Sequence, residues 1–356
     1  MRFAVISDTH SNRFTEKAYN HMLSYKDKLG LDFVVFNGDL IGHFSLAKSS
    51  LHKGTQIPQE TLYEYLKEAA PRFYDIWIDK QDIPKQLLLE YVGERYSWLC
   101  SFLEKSSQQI ETIWNLGNHE SKHHYLVLQE LPFFTGCDPS IIQAVDTALL
   151  DKIYGFYEEK IETLDHMPSF HYIHHKPLIK DDTMIIGIPG ESHGTVGKDP
   201  KSRIQEQKTK DIISQAKSDI ENVSTVIVCN HTQGAYDRST SSFQPASPSM
   251  KTFISEISSS KQVIWIQSHN HWSYTQFLER QGVDYILNNA GLHDGIYNII
   301  DIGDGISVYD AYPRDDMIQR VNQSSEYGEH YQNERMKISR HYEDVAAILE
   351  RKGRRS

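Results

Sequence analysis

Cysteine is scarce in this chain. Three stand among 356 residues, Cys100, Cys137 and Cys229, far apart and in no C-x-x-C pair. So few, and an odd number, exclude a disulfide-built scaffold and fit a reducing compartment. Long apolar runs are missing as well: none approaches the roughly 20 residues a bilayer span needs. No basic and apolar leader opens the chain, because the first strand-like run begins at residue 2. The expectation is a soluble cytoplasmic protein. Positive charge is in deficit, 37 Lys and Arg against 48 Asp and Glu, for a net charge of −11. That balance argues against an extended nucleic-acid footprint, though it leaves room for a small basic groove. Internal repeats and low-complexity linkers are absent too.

What remains is a globular composition, 39% hydrophobic and 24% charged. The length suits one large α/β domain with insertions or two smaller domains. Strand-like and helix-like segments alternate. Phe3–Ser7 and Phe33–Phe36 read as buried strands, with helical spacing over Glu16–Leu29 between them. This β-α-β order predicts two parallel strands joined by a crossover helix. Residues 43–109 interrupt the rhythm with helix-like stretches at Pro58–Lys67, Pro71–Lys80 and Pro84–Lys105, rich in Tyr and Trp. Proline at each helix start supports a helical insertion, a cap or an interface. Its aromatic residues read mostly as the insertion's own core. A strand at Ile110–Leu116 comes next, and then a second helical insertion over 121–168.

Further strands are expected at Phe170–His174, Met184–Ile188, Val223–Cys229 and Val263–Gln267, with helices at Ile204–Ile220 and Pro248–Ser260. Short strands are expected after them at Tyr274–Leu278, Tyr285–Leu287, Tyr297–Ile302 and Ile306–Tyr312. Gly303-Asp304-Gly305 marks a hairpin turn. Ser-rich 239–249 reads as a mobile loop. The domain reading is a catalytic unit over 1–312 and a charged helix or tail over 313–356.

Five places share one layout, an apolar strand and then a turn carrying Asp, Asn or His. They are Asp8-Thr-His10, Gly38-Asp39, Gly117-Asn118-His119-Glu120, Asn230-His231 and His269-Asn-His271. Strand ends of an open α/β sheet converge on one place. Two Asp, one Asn and up to five His are ligands for divalent transition metals such as Mn, Fe, Zn or Ni. The set is too large for one ion. Two ions about 3.5–4 Å apart suit in-line displacement at phosphorus. Taken singly, Asp8, Asp39 and Asn118 could be turn formers or helix caps. His10, His231, His269 and His271 could be hydrogen-bonded core or surface residues. Taken together they favour a metal site.

The order D-x-H, G-D, G-N-H-E, H and H-x-H resembles the calcineurin-like metallophosphoesterase family along most of residues 1–312. Ser268 departs from it, since Gly usually precedes H-x-H. The resemblance implies an α/β fold, a four-layer α/β/β/α sandwich of two mixed sheets with helical insertions. It implies that Asp8, His10 and His271 hold one ion, that Asn118, His231 and His269 hold another, and that Asp39 bridges them. A bridging hydroxide would attack the phosphoester in line, with His119 beside the leaving group as proton donor. Manganese is the favoured metal.

Secondary positions are weaker. Glu120 orients His119 or caps the next helix. His43 and His293 are candidate pocket residues that a surface-loop role explains as well. His123-His124, His171, His174 and His175 read as structural. Protein Ser/Thr phosphatases of the superfamily carry an Arg after the G-D block and another after G-N-H-E. Here those stretches read Leu40-Ile-Gly-His43 and Ser121-Lys-His-His124. Purple acid phosphatases place a Tyr three residues after the G-D aspartate, where Gly42 stands. Without an Arg clamp for a dianionic monoester, the reading leans to a phosphodiesterase on a small nucleotide-type substrate. A phosphomonoesterase or a nuclease is the enzyme alternative, and a non-catalytic scaffold on the same fold the alternative of another class.

Overall fold

The computed structural model describes residues 1–9, 12–41, 85–117, 120, 147–174, 176–188, 190, 200–231, 234–237, 242–245, 247–272, 275–289 and 295–324. Strand β1 is Arg2–Ile6, then come helix α1 (Asn12–Leu29) and β2 (Phe33–Asn37). Helix α2 (Lys85–Ser107), β3 (Glu111–Asn115), α3 (Thr147–Asp165) and β4 (Phe170–Tyr172) come next. Strands β5 (Leu178–Lys180) and β6 (Thr183–Ile188) lead to α4 (Pro200–Asp219) and β7 (Thr225–Asn230). A hairpin of β8 (Gly234–Asp237) and β9 (Ser242–Pro245) precedes α5 (Pro248–Ile257) and β10 (Gln262–Trp272). Strands β11 (Gln276–Arg280), β12 (Val283–Asn289), β13 (Tyr297–Ile302), β14 (Ile306–Tyr312), β15 (Met317–Val321) and β16 (Gln323–Ser324) complete the described chain.

The strands form two seven-stranded mixed sheets, ordered β15-β14-β13-β1-β2-β3-β4 and β16-β11-β12-β10-β7-β6-β5. The first four strands of the chain run parallel, with Phe3, Ala4 and Val5 beside Phe33, Val34 and Val35. Side chains alternate across a strand with period two, and both faces of each central strand are buried here. Ala4, Ile6, Val34, Phe36 and Trp114 face a core shared with α1, α2 and α3. Val226, Val228, Val263 and Trp265 face a second core with α4 and α5. Phe3, Val5, Phe33, Val35, Ile227, Ile264 and Ile266 meet between the sheets in a third. Three cores separate four layers, α/β/β/α. Burial on both faces explains why these strands read as continuous apolar runs instead of alternating ones. Stacking of Phe3 on Phe33, with centroids 4.8 Å apart, locks the β1–β2 register. Such a pair adds about 0.5–1.5 kcal/mol beyond its burial.

Part of the first insertion is therefore a scaffold helix. On α2, Tyr96 packs against Tyr157 of α3 with centroids 4.6 Å apart, and Trp98 stacks on Phe102 at 5.1 Å. The aromatic residues there pack the core between the helices and the first sheet, with Phe36 and Trp114, and not a core of the insertion's own. The stretches 58–67, 71–80 and 121–146 lie outside the described residues, as does the C-terminal stretch 325–356.

Three other expectations need correction. The sheets run past residue 312, because β15 pairs with β14 and β16 with β11. Asp315 and Asp316 make a turn that the charged-tail reading absorbed. Within the Ser-rich 239–249 stretch, β9 is paired with β8, and Ser247 caps α5 by accepting from the Met250 amide. Finally, β5 was not expected, since its three residues end in Lys and show no periodic signal. No described helix is long and apolar enough to cross a membrane.

Candidate metal centre

The carboxyl ends of β1, β2, β7 and β10 point to the same end of the sandwich, and each hands over one polar residue within a few positions. Past β1 the chain turns at Asp8, whose φ is 51°, and the Asp8 amide bonds the Gly38 carbonyl at 3.1 Å. Past β2, Gly38 and Asp39 both have positive φ, 81° and 55°. His269, inside β10, has φ 70°. Left-handed backbone at a residue with a Cβ costs about 1–2 kcal/mol and is held only where surroundings fix it.

Two glycines allow that close approach. A Cβ on Gly38 would lie 2.4 Å from Gly117 Cα and 2.7 Å from His231 Nδ1. A Cβ on Gly117 would lie 2.3 Å from both the Asp39 amide nitrogen and Asp39 Oδ1.

Four donors result. One ligand atom from each of Asp8, Asp39, His231 and His269 lies within 4.8 Å of the others. His231 Nε2 stands 3.0 Å from Asp39 Oδ2 and 4.0 Å from Asp8 Oδ1, and His269 Nδ1 is 4.0 Å from Asp39 Oδ2. The His269 amide donates to Asp8 Oδ1 at 2.9 Å, which aims that carboxylate. His231 Nδ1 lies 2.7 Å from the Asn37 carbonyl oxygen. A carbonyl only accepts, so Nδ1 carries a hydrogen, and Nε2, which faces the carboxylates, is the nitrogen left for a metal once its own proton is displaced. This is the arrangement of a metal-ligating imidazole.

The charges agree. Burial raises the Asp8 pKa, and Asp39 raises it further while His231 opposes. Burial alone would lower His231, but Asp39 and Asp8 outweigh it and push it up to about 10. Two fully buried carboxylates call for compensating positive charge. Their mix with imidazole nitrogen fits a divalent transition cation.

A polar layer beneath these ligands joins the two sheets. Asn37 donates to the Asn230 carbonyl at 3.0 Å and to Ser268 Oγ at 2.7 Å, and accepts from Asn115 at 2.8 Å. Asn115 also donates to the carbonyls of Cys229 and Ile188. Gln267 takes the Asn230 amide group and donates to the His231 carbonyl. Ser268, the one departure from the family pattern, thus supplies a hydroxyl that Asn37 uses.

The calcineurin-like phosphoesterase family model matches residues 1–293. The chain belongs to the calcineurin-like phosphoesterase family. That makes it a metallophosphoesterase, a hydrolase of phosphoric esters, and the family implies a dinuclear divalent metal centre. A search of curated proteins finds no significant match. Among solved structures, a putative 5'-nucleotidase from Staphylococcus aureus is 14% identical with a TM-score of 0.39. That alignment covers 95% of this chain, which spans 58% of the length of the nucleotidase. A dimetal phosphatase from Danio rerio is 10% identical with a TM-score of 0.40, over 90% of this chain and 99% of that one. The calcineurin-like phosphoesterase YfkN from Bacillus subtilis is 11% identical with a TM-score of 0.37, over 97% and 98%.

Of the family's ligand positions in this chain, Asp8, Asp39, His231 and His269 converge. His271 lies two residues further along β10, and its side chain is outside the described ones. His10, Asn118, His119, His43 and His293 lie outside the described residues, as do His123, His124 and His175. His171 pairs with Glu111 at 3.2 Å and His174 stacks on Tyr172, both structural roles as expected.

Sequence reasoning missed two things. One is the Asn37–Asn115 hub, signalled by an amide side chain at the end of an otherwise apolar buried strand. The other is the role of Glu120, which the sequence reads as orienting His119 or capping the next helix. The residue is fully buried, and its Oε2 accepts from the amides of Asp39 (2.9 Å) and Gly117 (3.1 Å). Its Oε1 accepts from Leu40 (2.8 Å) and Ile41 (3.2 Å).

Proposed function

We propose that this metallophosphoesterase hydrolyses a phosphodiester of small nucleotide type at a dinuclear, manganese-preferring centre in the cytoplasm. The observation that carries the metal reading is the convergence of Asp8, Asp39 and His231, just past β1, β2 and β7, with His269 inside β10. In this reading Asp8, His10 and His271 hold one ion, Asn118, His231 and His269 the other, and Asp39 both. The position of Asp39 supports the bridging role, since it lies near His231 and His269, assigned to one ion, and has a ligand atom within 4.8 Å of one on Asp8, assigned to the other. When bound, two divalent ions supply positive charge for a phosphoryl oxygen and make a bound water acidic.

The chain's own residues do the rest. Asn37 keeps the hydrogen of His231 on Nδ1, and the His269 amide orients Asp8. His119 donates a proton to the leaving oxygen, a task for which imidazole is suited near neutral pH. His43 and His293 are the further candidates for substrate contact.

The diester preference rests on two stretches, Leu40-Ile-Gly-His43 and Ser121-Lys-His-His124, neither of which carries an arginine to clamp a dianionic monoester. Metal analysis and a phosphoester panel on one preparation test the reading. Bound Mn and turnover of bis-p-nitrophenyl phosphate over p-nitrophenyl phosphate are expected. The reverse preference would overturn the diester assignment, and a metal-free, inactive protein would overturn the whole.

A further inference from the structure

We propose that Glu120 is a positioning residue that holds the Asp39 carboxylate in place through the backbone, and that helix α2 holds Glu120 in turn. The proposal rests on the metal reading above for what Asp39 does.

Three consecutive amides, those of Asp39, Leu40 and Ile41, converge on one carboxylate, and Gly117 adds a fourth. Successive backbone N–H groups turned inward make a concavity that binds an anion. Here the anion is a side chain from a turn 81 residues further along the chain. The first of the three amides belongs to Asp39 itself, which sits at a positive φ. Glu120 therefore grips the backbone at the strained residue and at the next two. The contact is direct because Gly117 has no side chain: a Cβ there would lie 2.6 Å from Glu120 Oε2 and 2.3 Å from Asp39 Oδ1. No bulk separates the gripping carboxylate from the gripped one.

The next link reaches the helical layer. Tyr96 Oη on α2 donates to the Glu120 carbonyl at 2.8 Å. Its ring is buried against Tyr157 of α3. A motion or substitution in α2 thus reaches Asp39 in two hydrogen bonds. Glu120 has a geometric job: it fixes where the Asp39 oxygens point.

Two substitutions probe that job. Glu120→Gln keeps the shape but turns an amide NH2 toward two backbone N–H donors. Glu120→Asp keeps both acceptor oxygens but falls one methylene short. Four quantities are read for each: bound Mn at fixed free Mn, kcat and KM on bis-p-nitrophenyl phosphate, hydrogen exchange of the peptide containing residues 38–41, and the melting temperature without metal. In Glu120→Gln, Mn affinity and kcat are expected to fall on the order of 10–100-fold, the usual cost of losing a group that orients a metal ligand. KM should stay within a few-fold, and exchange at 39–41 should accelerate before metal is added. Glu120→Asp should recover part of each loss.

Unchanged Mn affinity and exchange in Glu120→Gln overturn the proposal. So does a lower melting temperature with kcat and Mn affinity intact in the folded fraction, which would mark a purely structural residue. If Glu120→Gln does not fold, Glu120→Asp carries the test, and wild-type values in it overturn the proposal. Failure of the wild type to bind Mn or cleave any phosphoester strikes the proposed function instead, and shows in the control arm.

Discussion

His231 donates its Nδ1 hydrogen to the carbonyl of Asn37, two residues ahead of Asp39, the carboxylate that its Nε2 faces. One residue on β2 thus sets the tautomer of a ligand just past β7 and stands next to the turn that presents another. The Asn37 side chain is committed as well, to Asn230, Ser268 and Asn115. Asn37→Ala keeps the backbone carbonyl but strands those partners in a buried layer. Each stranded buried group costs about 1–3 kcal/mol, and Asn115 retains two other acceptors. A loss of about 2–4 kcal/mol in urea unfolding is expected. A loss under about 1 kcal/mol, the worth of a single ordinary hydrogen bond, would mean that the layer does not bind the sheets together.

Glycines in this chain separate into those the site needs and those it tolerates. Gly117→Ala places a methyl 2.3 Å from the Asp39 amide nitrogen, backbone that cannot step aside. Gly155, inside α3, has nothing within 4 Å of where its Cβ would be. Gly155→Ala should stabilise the fold by about 0.5–1 kcal/mol, the entropy and propensity gain of Ala over Gly in a helix. Gly117→Ala should abolish Mn binding and turnover. Comparable metal affinity in the two variants would refute the packing argument.

Acid should cost stability through His21. Its Nδ1 meets Tyr297 Oη at 3.0 Å and its Nε2 meets Asp316 at 3.1 Å. Burial lowers its pKa below the ordinary value, with Lys17 adding to that and Asp316 opposing it. The unfolded chain therefore takes up the proton first as pH falls through about 6.5. Stability rises with pH wherever the unfolded state binds more protons. This contribution is complete above that value and is lost below it. Urea midpoints compared between mildly alkaline and mildly acidic buffer should diverge less in His21→Gln than in the wild type. Equal divergence would remove His21 from the account.

The sequence was informative where chemistry and periodicity are local. Phe3–Ile6, Phe33–Phe36 and Val226–Cys229 are apolar without a break because both faces are buried, and their ligands come within three residues. Glu120 was opaque for the opposite reason. Three of its four partners are main-chain amides 79 to 81 residues away, and amides carry no signature in side-chain identity. Strand β15 escaped because only its Ile318 and Val321 are even half-covered, so no period-two pattern marks it. The helix α2 was legible, while its hold on the Glu120 carbonyl through Tyr96 required the fold.

Holding the site together should cost the fold stability. Asp8, Asp39 and Glu120 are three carboxyl groups at zero exposure around one imidazole. Buried charge without full compensation destabilises a protein. Asp39→Asn removes one of these charges while keeping an oxygen toward His231 Nε2 and nearly the same shape. The metal-free variant should therefore melt no lower than the metal-free wild type, and activity should be lost. Added Mn separates them further. A ligand at a hundredfold its dissociation constant stabilises the state that binds it by about 2.7 kcal/mol. The wild type should show that rise on titration with Mn, and Asp39→Asn should show little of it. The two melting curves should thus exchange order as metal is added. If the variant is the less stable of the two before any metal is present, the carboxylate is serving the fold. It would then not be held in place at the fold's expense for the ions.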